Sequence, residues 1–147
     1  MILVKRKAAT QAVINRFNGA LFEWGKADCV QLTRACLVGL GHSDPLPRKR
    51  YGAPRTAKKL FRDSGFTNLV EAMDSLGLEK IGAAETLPGD IVAFEGAAMP
   101  EAFGDYGLGV VLGQGRFLAF VRLPQGEAIC GAGLMAEAPL NHAWRSI

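Results

Sequence analysis

The sequence is poor in the side chains that most often do chemistry at neutral pH. It has two histidines, His42 and His142, and three cysteines, at positions 29, 36 and 130. An odd number of thiols makes no disulfide framework, and neither a C-x-x-C pair nor a His/Cys cluster supplies zinc spacing. Reduced thiols and no metal or other cofactor are therefore expected. No apolar run approaches the ~18 residues of a membrane span. The opening Ile2-Leu3-Val4-Lys5-Arg6-Lys7 carries its charge after its apolar stretch, the reverse of a secretory signal.

Charge of one sign is also scarce, with 17 Lys+Arg against 14 Asp+Glu and a formal net charge of +3. Many of the bases fall into two groups, Lys5-Arg6-Lys7 and Arg48-Lys49-Arg50 followed by Arg55, Lys58 and Lys59. Only Tyr51 is interleaved with them as a stacking aromatic, and no helix-turn-helix or finger signature accompanies them. The pattern thus favours a solvated helix face and a loop over a nucleic-acid surface.

What is present suits a single domain over 1–147, since a chain of this length buries roughly 70% of its unfolded surface without staples. Ala9, Val13 and Phe17 recur at intervals of four while Arg6, Gln11, Asn15 and Arg16 lie elsewhere on the wheel, which predicts an amphipathic helix over about 5–17, ended by Asn18-Gly19. A second helix runs from Cys29 to about Leu40, stopped by Gly39 and Gly41, and a polar loop follows from His42 to Pro54. Two short helices are expected over 56–61 and 68–76. After Leu78 the texture changes to β-type runs over 90–94, 107–112, 116–121, 127–130 and 142–145. Gly113-Gln114-Gly115 stands between two strands and reads as a hairpin turn, not a phosphate loop. The Gly96–Tyr106 stretch is a candidate contact loop, although such loops are usually just solvated. Helices first and an antiparallel meander afterwards define an α+β fold class.

The chemistry concentrates at Asp28-Cys29. Asp28 can cap the helix that Cys29 opens, and Gln31, three residues on, can reach back in a capping box. Free amides and the positive end of the helix dipole at that position favour a thiolate, the form in which a Cys is a nucleophile. The same residues also fit an inward apolar stripe of Cys29, Leu32 and Cys36 at helical spacing, because free Cys is among the most buried residue types.

Three segments in order resemble the NlpC-type cell-wall cysteine peptidases, a papain-related family that cuts peptidoglycan stem peptides. Phe22-Glu23-Trp24-Gly25 leads to Asp28-Cys29-Val30, as an aromatic-x-x-Gly approach leads to the family's Asp-Cys. Leu87-Pro88-Gly89-Asp90-Ile91 matches its Pro-Gly-Asp strand entry. Gly107-Leu108-Gly109-Val110-Val111-Leu112-Gly113 matches its His-Val-Gly-Ile-Tyr-Leu-Gly strand. The resemblance implies an NlpC/papain-like arrangement of N-terminal helices packed on the meander, with Cys29 at the nucleophile position. It also implies what is missing: Gly107 stands where the catalytic His belongs, Ala119 near the residue that orients it, and Phe22 nearest the family's upstream Tyr. The chain most resembles a reduced, tail-associated phage branch that keeps the Trp-Gly approach and Asp-Cys but lacks the His. Gly41-His42-Ser43-Asp44-Pro45 and Ala143-Trp144 fill two short features of that branch.

The expectation is a tail-tip or tail-assembly structural protein of the virion, made in the host cytoplasm, a pseudoenzyme with other phage tail proteins as partners. The alternative is an active peptidoglycan hydrolase using Cys29 with His142 as an unexpected base. His142 otherwise reads as a surface or strand-edge residue, and His42 lies roughly 20 Å from Cys29 at about 1.5 Å per helical residue. A nucleic-acid-binding role for the 48–59 stretch is a third class.

Overall fold

The computed structural model describes residues 2–46, 50–96, 104–138 and 140–147. Arg48 and Lys49, most of the Gly96–Tyr106 loop and Pro139 therefore lie outside the described residues.

Among the described residues four α-helices precede the sheet: α1 (Ile2–Phe17), α2 (Cys29–Gly39), α3 (Pro54–Asp63) and α4 (Leu69–Asp74). The last three begin on a readable signal. Asp28 caps α2 and Asn68 caps α4, accepting from the Gln31 and Glu71 amides at 2.9 and 3.0 Å. Pro54 opens α3, where its fixed φ suits the first turn and no donor is lost. Helix α1 starts earlier than periodicity suggests, because its first turn leaves Ile2, Leu3 and Val4 about 60% exposed and so has no buried stripe to mark it.

Six strands follow among the described residues: β1 (Glu79–Ile81), β2 (Ile91–Glu95), β3 (Tyr106–Gly113), β4 (Arg116–Arg122), β5 (Ala128–Leu134) and β6 (Leu140–Arg145). All pairings are antiparallel, in the order β1-β6-β2-β3-β4-β5. The expected meander is β2 to β5. The last strand departs from it by crossing back to lie between β1 and β2. β1, at three residues, is too short to show an alternation and is absent from the sequence reading. Gln114 and Gly115 form the two-residue hairpin turn with φ of +56° and +73°, the left-handed pair such turns require.

Ile91, Ala93, Leu108, Val110, Leu118, Phe120 and Trp144 face the helices. Val92, Phe94, Val111, Phe117, Ala119 and Ala143 form a second cluster on the other face, packed by Ile81, Met135, Ala138 and Leu140. Phe22 stacks edge-on against Trp24 and Phe120, at centroid distances of 4.9 and 5.7 Å, so the aromatic approach to Cys29 is part of the helix-side core.

Arg6 corrects the helical-wheel reading. It is only 1% exposed and pairs with fully buried Asp90 at 2.9 Å, also donating to the Pro88 and Ile147 carbonyl oxygens at 2.8 and 2.6 Å. Asp90 further accepts from the amides of Leu87 and Ser146, each at 2.9 Å. The Pro-Gly-Asp strand entry is thus a buried ionic lock joining α1 to the C-terminal residues. A wheel sorts residues by type, and a partner 84 residues away is invisible to it.

Candidate functional site

The site is built from the N-terminal turn of α2 laid against β3. Asp28 is 0% exposed. Its two oxygens accept from the amides of Gln31 (2.9 Å) and Gly25 (2.8 Å) and from the Tyr51 hydroxyl (2.9 and 2.8 Å). The reciprocal half of the expected capping box is absent, because the Gln31 side chain turns to Tyr51 instead, its amide donating to the phenol oxygen at 3.4 Å. Arg34 donates to Gln31 Oε1 at 3.3 Å and forks onto Asp44 through Nε at 2.7 Å and a second, shorter bond. A continuous polar chain therefore runs from Asp44 at the surface through Arg34, Gln31 and Tyr51 to Asp28 beside Cys29. Gly25 makes the closure possible: at φ +79° a Cβ would fall 1.9 Å from the Tyr51 carbonyl oxygen.

Tyr51 is the residue that sequence reasoning misplaced. Expected as an aromatic among surface bases, it is 8% exposed and joins the core. Its partner Asp28 lies 23 residues away, so no local pattern marks it.

The electrostatics run against a nucleophile. Burial first, and the neighbouring Asp28 charge second, push the Cys29 thiol up to about 12, overriding the helix-terminus amides that favour the thiolate. Cys36, whose thiol donates to the Gly89 carbonyl at 3.4 Å, and Cys130 are likewise pushed up to about 12 by burial. Cys29 is thus no more acidic than two thiols in plainly structural positions. All three are free and buried, as the apolar-stripe reading of Cys29, Leu32 and Cys36 requires.

The positions aligned with base and orienter lie elsewhere. Gly107 pairs with Phe94, and a Cβ there would fall 2.5 Å from the Phe94 ring, on the face of the sheet away from the helices. Ala119 belongs to the same far-face cluster. The side chains that β3 and β4 turn toward α2 are apolar, Leu108, Val110, Leu118 and Phe120 among them. His42 donates through Nε2 to the Ser146 carbonyl, beyond the other end of α2. His142 lies where β6 runs past the end of β1, which pairs only with residues 143–145, and its ring stacks on Trp144 and meets Tyr106 edge-on, at 6.2 and 5.5 Å. It shares the helix-facing side with Cys29. It pairs with Ala93, which in turn pairs with Leu108, so β2 separates it from β3. Trp144 and Asp44, from the two short tail-branch features, have structural partners, Trp144 donating to Asp74 at 2.9 Å and Asp44 holding Arg34.

No group of three or more His, Cys, Asp or Glu residues that could hold a metal occurs among the described residues. No helix among them is long and apolar enough to cross a membrane.

Capped helix, buried Cys at its first position and antiparallel sheet define an NlpC-type α+β fold. Two solved structures are similar across nearly the whole chain. NlpC1 from Trichomonas vaginalis shares 17% identity over 96% of this chain and 44% of its own, with a TM-score of 0.54. NlpC2 from Trichomonas vaginalis shares 16% identity over 97% of this chain and 46% of its own, also at 0.54. The chain thus spans less than half the length of each. No curated protein matches the sequence. Residues 3–146 match the family described as "Domain of unknown function (DUF6950)", and the chain belongs to that family.

Proposed function

We propose that the protein is a structural component of a phage or prophage tail, at the tail tip or in tail assembly, in which an NlpC-type fold serves as a docking scaffold and Cys29 has no catalytic part. The observation that carries the inactive half of this reading is the Cys29 environment: a buried thiol raised to about 12, packed in the helix-side core with Leu108, Val110 and Leu118. Cysteine acyl transfer needs a thiolate, a base to generate it and a proton for the leaving amine. The tail half rests on the combination in the sequence, a Trp-Gly approach and Asp-Cys retained while Gly107 replaces the His.

The hydrolase reading has one observation in its favour, that His142 lies on the face Cys29 faces. It requires the imidazole to leave Tyr106 and Trp144 and the thiol to emerge from the core.

Turnover of purified peptidoglycan by wild type and Cys29→Ala, both shown to be folded, tests the first half. Neither should release stem peptides; release by wild type alone would establish the hydrolase. Mass spectrometry of purified virions of the encoding phage tests the second half. Presence at stoichiometric copy number is expected, and absence from both virions and tail intermediates would remove the structural role.

A further inference from the structure

Helices α2, α3 and α4 enclose a cavity of about 360 Å³ whose floor is Leu108 of β3. The volume lies in the range of small-molecule sites, which are typically ~300–1,000 Å³ and mostly apolar. Leu37 of α2, Ala57 and Phe61 of α3 and Met73 of α4 form its walls. The hydroxyls that reach it are already committed. Thr33 donates to the Cys29 carbonyl (2.9 Å), Ser64 to Leu60 (2.9 Å), Ser75 to Ala72 (2.6 Å) and Tyr51 to Asp28 (2.8 Å). The interior therefore offers an entering group no free hydroxyl donor, and the carbonyls of a peptide backbone would be left unpaired there at a cost of ~1–3 kcal/mol each. An alkyl chain or apolar ring has no such demand.

The rim is of the opposite character. Arg34 lines the cavity, and its side chain is 26% exposed. Two bonds to Asp44 and one to Gln31 engage three of the five N–H groups of a guanidinium, and no further acceptor for it occurs among the described residues. Helix α3 turns Ala57, Leu60, Phe61 and Ser64 inward and exposes Arg55, Lys58, Lys59 and Arg62, with Asp63 its only acidic residue. The entrance thus lies between an arginine with donors to spare and a cationic helix.

We infer that this cavity binds a small anionic amphiphile, an apolar chain or ring ending in a carboxylate or similar anion, with the chain against Leu37, Phe61, Met73 and Leu108 and the anion at Arg34. Asp44 remains on the guanidinium's other edge and limits the head group to one small anion. The site is separate from Cys29 chemistry and does not depend on a tail role. The same chemistry is presented by a free fatty acid and by an anionic lipid in a bilayer. The enclosed walls favour the free molecule.

The test is calorimetric titration of the purified protein at pH 7.5 with dodecanoate, dodecanol and dodecyltrimethylammonium, each kept below its aggregation threshold. Dodecanoate should bind one to one and at least about tenfold more tightly than the other two. Arg34→Gln should erase the preference for dodecanoate over dodecanol, and Ala72→Trp, which fills the cavity, should abolish both while the protein stays folded by circular dichroism. Should Ala72→Trp fail to fold, the head-group series on wild type decides the matter alone. No binding, equal binding of all three, or undiminished binding in folded Ala72→Trp would overturn the inference. So would binding to vesicles containing anionic phospholipid without binding to free dodecanoate, which would transfer the chemistry to the exposed face of α3.

Discussion

Cys29 and Cys36 lie two turns apart on one helix face, and burial governs both. A thiol-reactive dye at pH 8 should therefore leave all three cysteines of the native protein unmodified over minutes and titrate them together once the chain is unfolded. Selective labelling of Cys29 in the native state would contradict that. Cys29→Ala should cost on the order of 1 kcal/mol in urea unfolding, as expected for a buried packing residue. Restoring the aligned histidine should not restore a base. In Gly107→His the new side chain would enter the far-face cluster at Phe94, across the sheet from the thiol, and should lower stability by about 1–3 kcal/mol through overpacking, with no gain in thiol reactivity. The start of α2 at Asp28-Cys29 was legible because the capping signal is local. Which face residue 107 takes depends on its pairing with Phe94, which no motif records.

The loops on either side of α2 act as one element, with Gly25 and Tyr51 as its meeting point. Gly25→Ala combines a left-handed backbone with a carbonyl contact of 1.9 Å and should lower stability by at least about 2 kcal/mol. Tyr51→Phe keeps the ring but removes the donor to a buried carboxylate, for an expected loss of about 1–3 kcal/mol, measurable by denaturant midpoint at unchanged m-value. The presence and order of the helices and of the four meander strands were legible because apolar period and turn glycines report them, while several of their ends were not. The loop that carries Tyr51 was not, since its fold is set by Asp28, a residue of another segment. Arg6 tells the same story in α1: its neighbours predict solvent, and its partner Asp90 requires burial. Arg6→Met should remove the closer of that carboxylate's two arginine partners, leaving Arg145 at 3.4 Å, and cost about 3 kcal/mol.

At the scale of the whole molecule, two carboxylates give stability opposite dependences on pH. Arg34 holds Asp44 below its ordinary value of 3.8, so the pair stabilises the fold above that pH, and the contribution is lost as pH falls through the lowered folded value. Burial holds Asp28 above 3.8, so its ionisation works against folding as pH rises from there through the raised folded value. Unfolding curves for wild type and Asp44→Asn should therefore differ at pH 6 and converge on acidification below the lowered value. A gap unchanged at low pH would dissociate Asp44 from the polar chain. The placement of β6 has a further consequence for how the chain reaches this state. β6 fills the gap between β1 and β2, and Arg6 contacts residue 147 across a separation of 141 positions. The sheet thus stays split until β6 docks between them, and loop closures of that span make folding slow compared with helical domains of similar size. During that interval the unpaired edge of β2 is open to strand exchange with a neighbouring copy, so assembly and folding compete for the same edge.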